Sequence, residues 1–175
     1  MRILVALDGS ALSERALEAV APLAKQTGAE LILISVLNPE AIHETVATDE
    51  YRETAATIPA ARLAMRGAPA EPPARVVEDR GQALEAARTE AETVLRIAAA
   101  RWLPEGVPTT FEVEWSEHAS DAIIKAAEQH GVDLIAVASH GWSGLKPTVL
   151  GSVSAELVRE SPVPVVVVGR SVRTG

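Results

Sequence analysis

A glycine-rich loop late in the chain carries the clearest signal for chemistry in this sequence. It follows the apolar run Leu134–Ala138, contains Gly141 and Gly144, and ends at Gly151 and Ser152, where an amphipathic helix is predicted to begin. The first N–H groups of a helix have no acceptor within the helix, and the helix dipole favours negative charge beside them. The order of strand, flexible loop and helix start therefore predicts a place for a phosphate group.

Asp8 is the second group that could contact a ligand, because it directly follows the apolar run at residues 3–7. If that run is a central strand of an open α/β sheet, Asp8 lies where ligands bind, at the carboxyl edge near the point of reversed strand order. Its carboxylate could then accept hydrogen bonds from ribose hydroxyls or adenine. The alternative role for Asp8 is that of a turn or helix-capping residue. Ser10 is interpreted as the cap of the following helix.

The other polar residues give weaker signals. Neither GxxxxGK[ST] nor GxGxxG is present, so the two common nucleotide fingerprints are missing. His43, His118 and His130 are too scattered to predict a metal site. His140 is interpreted as a hydrogen-bonding brace of the loop and Lys146 as a solvated lysine. No serine has an identifiable His and Asp pairing, so we expect neither a catalytic residue nor a protein-built metal site.

Composition indicates one globular domain over residues 1–175. Hydrophobic residues make up 47% of the chain, which is enough for a core, and the 3% aromatic fraction means that this core is aliphatic. Cysteine is absent, which fits a reducing compartment. The net charge of −8 argues against nucleic acid as a partner, and no apolar run is long enough to cross a membrane. We expect a cytoplasmic protein.

Apolar runs and helical periodicity alternate along the chain, which predicts five strands and four helices. The predicted strands are residues 3–7, 31–37, 109–115, 134–138 and 163–168, and the predicted helices are residues 12–27, 82–103, 119–130 and 152–159. Pro22 is expected to kink the first helix or to split off its last turns. The alternation indicates an α/β fold with a doubly wound parallel sheet and helices on both faces.

Two strands and one long connection carry further expectations. Residues 109–115 alternate strictly between apolar and polar, which places this strand at a sheet edge. The final strand, VPVVVV at residues 163–168, is apolar on both faces and must be covered by the chain or by a second copy. The Pro/Ala-rich segment at residues 38–80 is interpreted as a surface insertion, with a lid or partner-binding arm as the alternative.

The segment ASHGWSGLKPTVLGS resembles the signature of the universal stress proteins, in which Gly-x-x-Gly is followed by nine residues and then Gly-Ser or Gly-Thr. Gly141, the nine residues at 142–150 and the pair Gly151 and Ser152 match this spacing, whereas Ala138 stands at the position of the first glycine. The opening RILVALDGS and the ending SPVPVVVV share the resemblance, which covers nearly everything except residues 38–80.

The resemblance implies a sheet of order 3-2-1-4-5, a homodimer paired through the strand at residues 163–168 and, in one branch of the family, bound ATP (or AMP or ADP) with magnesium. Asp8 would contact the adenosine, and Val36 would hold the adenine through its backbone. The other positions of the implied nucleotide site are Ala138, Gly141, Gly151, Ser152, Val153 and Ser154. We therefore expect an ATP-binding regulatory stress-response protein that is not an enzyme. The alternatives are an interaction module of the same fold that binds no nucleotide and, less favoured, a slow ATPase.

Overall fold

One parallel sheet organises the part of the chain that the computed structural model describes, which is residues 1–41, 80–139 and 150–169. Its strands are β1 (Arg2–Ala6), β2 (Glu30–Leu37), β3 (Thr109–Trp115), β4 (Leu134–Ala138) and β5 (Val165–Val168). The spatial order is β3-β2-β1-β4-β5, which confirms the predicted sheet. The segment at residues 42–79, which holds most of the predicted insertion, lies outside the described residues.

Helices cover both faces of the sheet, as predicted. Within the described ranges they are α1 (Glu14–Thr27), α2 (Arg80–Trp102), α3 (Ala119–His130) and α4 (Ser152–Glu160). On one face, α1 and α2 contribute small and aliphatic side chains such as Leu17, Ala91 and Leu95 to a core with Ile3 and Leu33. On the other face, α3 and α4 pack on the opposite side chains of the same strands. Alternation along the strands thus supplies two cores from one sheet.

The first helix ends at Thr27, just before Gly28, as predicted, but differs from its prediction at its start and in its continuity past Pro22. It begins at Glu14 rather than near residue 12, and it runs unbroken to Thr27, so Pro22 does not split off its last turns. Proline removes only one hydrogen bond of the helix, and the buried Ala21 and Ala24 hold the chain on the sheet on either side of that gap. Gly28 ends the helix in the left-handed conformation, with φ of 65°.

The two edge strands also follow from the sequence. The alternating strand β3 lies at one edge, as predicted, and β5 lies at the other. β5 begins at Val165 rather than at residue 163, because Pro164 has no N–H to donate and takes part only through its carbonyl, which accepts from the Ile135 N–H at 3.0 Å. No helix in the described ranges is both long enough and apolar enough to cross a bilayer.

Candidate functional site

The candidate site lies at the carboxyl ends of β1, β2 and β4. The chain leaves β1 for α1 on one face and leaves β4 for α4 on the other face, so strand order reverses between β1 and β4. Open α/β sheets bind ligands in a cleft above the strand ends at such a reversal. The residues that line this cleft are therefore those that directly follow the three strands.

Strand register brings three such residues to the same level. Ala6 is paired with Ile34, and Val5 is paired with Ala136. The Leu7 N–H donates to the Ile34 carbonyl at 2.9 Å, so the pairing of β1 with β2 continues past the end of β1. Counting on along each strand places Asp8 level with Val36 on one side and with Ser139 on the other. Neighbouring strands are about 4.8 Å apart, so Val36 and Ser139 flank Asp8 across roughly 10 Å.

Asp8 lies in a tight turn between β1 and α1. Its Oδ1 accepts a hydrogen bond from the Ser10 N–H at 2.9 Å, and Gly9 between them adopts a φ of 75°, which favours glycine. The turn role that the sequence left open for Asp8 is thus present. A carboxylate can accept several hydrogen bonds at once, so a turn role and a ligand role are compatible in one residue.

Ser10 is not the N-cap of α1 that the sequence predicted, because the helix starts later, and Ser10 instead closes the turn before it. Its Oγ accepts from the Ser13 N–H at 3.0 Å, and its carbonyl accepts from the Glu14 N–H at 3.3 Å. Ser13, rather than Ser10, is the residue immediately before α1. The Ser10 hydroxyl therefore closes the turn that leads into the helix.

Val36 presents its peptide group to the cleft. It lies two residues beyond Ile34, the last β2 residue paired with β1. Peptide groups along a strand alternate in direction, and the Ile34 carbonyl points toward β1 because it accepts from Leu7. The N–H and C=O groups of Val36 therefore point to the same side, above the end of β1. One donor and one acceptor in that position can hydrogen-bond the edge of a purine ring.

The two ends of the signature loop are tied together. The Ser139 carbonyl accepts a hydrogen bond from the Gly151 N–H at 2.7 Å. The hydroxyl of Ser154, a buried side chain, lies 3.1 Å from the same carbonyl and 2.9 Å from the Gly151 carbonyl. These bonds fix the start of α4 beside the end of β4. The loop residues between them, including Gly141, Gly144, His140 and Lys146 of the sequence predictions, lie outside the described residues.

This geometry refines the roles predicted for the start of α4. Gly151 has a φ of −61°, so the fold does not use its access to positive φ, and its N–H is bonded to Ser139. The N–H groups that begin the helix belong to Ser152, Val153 and Ser154, and these are the donors that a helix start offers to an anion. Ser152 is exposed, whereas Val153 is half-buried against the core under α4. The ligand contacts predicted for these residues stay predictions.

Ala138 fits its position without strain. It is the last residue of β4, it is paired with Val168, and it is buried. No residue other than glycine has a positive φ in the described ranges, so the alanine does not adopt a conformation that requires glycine. The departure from the signature at this position therefore costs no backbone strain and adds one methyl group beside the cleft.

Ser13 and Ser139 are the site residues that the sequence reasoning missed. Ser139 contributes through its carbonyl, which any residue could supply, so its type carried no signal. Ser13 did carry a signal: a hydroxyl residue three places after Ser10, at the start of a predicted helix, is a common capping pattern. Its Oγ accepts from the Asp8 N–H at 3.2 Å.

Comparison with known proteins agrees with this architecture. A model of the Universal stress protein family matches residues 1–169. Universal stress protein YxiE of Bacillus subtilis is 32% identical over 167 residues, which cover 95% of this chain and 97% of that protein. The solved structure of protein MJ0577, a universal stress protein of Methanocaldococcus jannaschii, is similar to this chain with a TM-score of 0.68 and 24% sequence identity. The match covers 98% of this chain and 96% of the MJ0577 chain. A crystal structure of a universal stress protein in complex with cAMP has a TM-score of 0.54 at 20% identity, and 98% of each chain is covered.

Proposed function

Because this chain belongs to the universal stress protein family, we propose that it is a regulatory protein that binds ATP or a related adenine nucleotide and acts as a homodimer. The observation that carries the proposal is the common level of Asp8, Val36 and Ser139 across three adjacent strand ends, with the start of α4 tied to Ser139. This arrangement combines a carboxylate, a peptide edge and a helix start within the dimensions of a nucleotide. The cAMP complex of a structural neighbour supports the choice of an adenine ligand.

The adenosine half of the ligand would lie above the carboxyl ends of β1 and β2. The peptide group of Val36 would pair with the adenine edge, and the Asp8 carboxylate would accept hydrogen bonds from ribose hydroxyls. Val36 belongs to β2, and Asp8 belongs to the short turn that directly follows β1. A site built on strand ends keeps its geometry when the ligand leaves, which lowers the entropic cost of binding.

The phosphates would lie at the start of α4. The first N–H groups of that helix and its dipole favour negative charge without any basic side chain, which suits a chain of net charge −8. In the described ranges no three His, Asp or Glu side chains cluster to hold a metal ion. Magnesium would therefore reach the protein on the phosphates, since Mg²⁺ keeps several of its waters in such sites.

The proposed role is binding without turnover. The groups assigned to the ligand are hydrogen-bond donors and acceptors, and the proposal gives them the role of binding rather than that of a nucleophile or a general base. Release of inorganic phosphate from ATP should equal that of a Gly151→Trp variant, in which the indole is expected to block the phosphate end. Release well above that variant would favour a slow ATPase instead.

Homodimerisation through β5 is the second part of the proposal. Among the described residues only β4 pairs with β5, and Val166 on this edge strand is 40% exposed. The Pro164 and Val168 carbonyls accept from β4, so the peptide groups of Val165 and Val167 point away from the sheet. An open, purely apolar edge invites pairing, and a second copy related by a two-fold axis would satisfy it with an antiparallel β5.

Nucleotide occupancy can be tested on purified protein in two ways. Protein that is denatured and cleared should release an adenine nucleotide that is detected by anion-exchange chromatography. In the second test, ATP at about a hundredfold its dissociation constant should stabilise the fold by about 2.7 kcal/mol, which raises the melting temperature of a domain of this size by about 5 to 10 °C.

The matched control distinguishes binding at the cleft from a general salt effect. Asp8→Ala should lose the ATP-dependent shift in melting temperature, whereas Asp121→Ala, which changes an exposed carboxylate in the first turn of α3, should keep it. No released nucleotide together with no shift at millimolar ATP would favour the nucleotide-free interaction module.

A further inference from the structure

We propose that Ser13 is a positioning residue of the nucleotide site, which holds Asp8 in the orientation that meets the ligand. The inference rests on the proposed function, because it concerns the residue assigned to the adenosine. Ser13 lies five residues from Asp8 at the start of α1, and its hydroxyl is directed back into the turn rather than toward the cleft. Its influence on the ligand would therefore be exerted through Asp8.

A closed set of hydrogen bonds links the two residues. The Asp8 N–H donates to Ser13 Oγ at 3.2 Å, and this hydroxyl donates in turn to the Ser10 carbonyl at 2.9 Å. The Ser13 N–H donates to Ser10 Oγ at 3.0 Å, and the Ser10 N–H donates to Asp8 Oδ1 at 2.9 Å. One limb thus fixes the main chain of Asp8, and the other fixes its carboxylate. Ser13 takes part in both.

Burial makes these bonds effective. Ser13 is 4% exposed and Ser10 is 9% exposed, so water cannot readily replace a lost partner inside the turn. Asp8 itself is only half-buried. The two serines are therefore the buried part of the network, and Asp8, which they orient, is the part that solvent or a ligand can reach.

The far end of the network is anchored to a second helix. Glu14, the residue after Ser13, is buried, and its Oε2 accepts from Arg101 Nη1 and Trp102 Nε1, each at 2.8 Å. Both donors belong to the last turn of α2. These contacts with α2 fix the start of α1, and they therefore also fix the position of the Ser13 hydroxyl relative to the Asp8 turn.

Replacing Ser13 with Ala removes two of the four bonds and leaves the Asp8 N–H without its acceptor. A neutral hydrogen bond of ordinary strength corresponds to a change of about threefold to tenfold in a binding constant. We expect S13A to weaken ATP binding by about that factor in isothermal titration calorimetry, and S13T, which keeps the hydroxyl, to restore most of the affinity. S10A removes the hydroxyl that accepts from the Ser13 N–H but keeps the Ser10 N–H that donates to Asp8 Oδ1, so it should weaken binding less than S13A.

The control is Ser120→Ala. Ser120 is also a buried serine at the start of a helix, and its hydroxyl donates at 2.6 Å to Oε2 of Glu156, which lies in α4 beyond the N–H groups assigned to the phosphates and makes no contact with the Asp8 turn in the bonds described above. Its loss should lower stability without changing the affinity for ATP. In an Asp8→Ala background, S13A should weaken binding no further, because the residue through which Ser13 acts is gone. Equal weakening by S13A with and without Asp8, or by S120A, would overturn the positioning role.

A measurement without ligand separates failure of this inference from failure of the proposed function. Amide hydrogen exchange at Asp8 and Ser10 in the ligand-free protein should be faster in S13A than in the wild type and unchanged in S120A. Should the wild type bind no adenine nucleotide, the proposed function fails, and the exchange rates alone then decide whether Ser13 holds the turn. Unchanged exchange at both amides in S13A would refute the inference whether or not ATP binds.

Discussion

Two carboxylate–guanidinium pairs of nearly equal length allow a direct test of which contacts stabilise this fold. Glu14 Oε2 lies 2.8 Å from Arg101 Nη1, and Glu92 Oε1 lies 2.6 Å from Arg96 Nη2. The pairs differ in burial, because the Glu14 side chain is 11% exposed and the Glu92 side chain is 44% exposed. We predict that the contacts of the buried Glu14 carboxylate contribute far more to stability than those of the exposed Glu92 carboxylate, although the Glu14 ion pair is the longer of the two.

The magnitudes follow from the partners. Glu14 also accepts from the Trp102 indole N–H at 2.8 Å, and a hydrogen bond to a charged group contributes about 1.5 to 3 kcal/mol. Arg101 is 56% exposed, so its ion pair adds no more than about 1 kcal/mol. Glu14→Ala should therefore lower the free energy of unfolding by about 2 to 3 kcal/mol. Glu92→Ala loses an i,i+4 pair worth about 0.3 to 0.5 kcal/mol and gains helix propensity, so its net effect should be close to zero.

Urea denaturation of the nucleotide-free protein measures both values. Trp102→Phe, which keeps an aromatic side chain but loses the indole N–H, should reproduce much of the Glu14→Ala loss, and the double variant should cost less than the sum of the two. A loss below about 0.5 kcal/mol for Glu14→Ala, or an equal loss for Glu92→Ala, would contradict the reasoning that burial decides the strength of these contacts.

Three further predictions concern the core, a helix end and the open sheet edge. Leu157, on the buried face of α4, should lose about 2 to 5 kcal/mol of unfolding free energy when replaced with Ala. Val158→Ala, at the exposed neighbouring position, should change the free energy of unfolding in urea by less than about 0.5 kcal/mol. Equal losses would refute the packing of α4. Gly28→Ala should lower stability by about 1 to 2 kcal/mol in thermal unfolding, because the φ of 65° is unfavourable for alanine. No atom crowds the added methyl group at Gly28, so backbone strain is the only cost. Gly169→Ala, at an equally uncrowded position without a positive φ, should be neutral. Val166→Lys should shift the protein from dimer to monomer in sedimentation velocity at micromolar concentration, and a wild-type monomer would exclude the proposed dimer.

The sequence predicted the bounds of those strands and helices in which a single sequence pattern determines the local structure. The bounds of β3, β4 and α3 agree with their predictions, because strict alternation, a short apolar run, and a helical stripe ended by Gly131 each leave little choice. Errors arose where two local effects compete. Pro164 could have belonged to a strand or to its approach, and the missing N–H at this residue decided for the approach.

The site shows a similar division. That Asp8 and Val36 meet could be predicted once the strand order was given by the resemblance, because register brings equivalent strand ends to one level. The carbonyl of Ser139 and the hydroxyl of Ser13 could not be assigned in this way. Main-chain groups have no signature in the sequence, and a serine before a helix gives no indication of which residue its hydroxyl will contact. The Ser139 carbonyl fixes the start of α4, and the Ser13 hydroxyl fixes the turn that holds Asp8.

Calorimetric titration of ATP into the wild-type protein and into Asp8→Ala tests the central claim most directly. The structure places Asp8 level with Val36 and Ser139 at three adjacent strand ends, and the proposed adenine-nucleotide site depends on the Asp8 carboxylate. We predict saturable binding of one ATP per chain to the wild type and a loss of at least about tenfold in affinity for Asp8→Ala, as expected when a charged hydrogen-bonding partner is removed. Only the heat of dilution from the wild type at millimolar ATP, or equal affinity in both proteins, would contradict it.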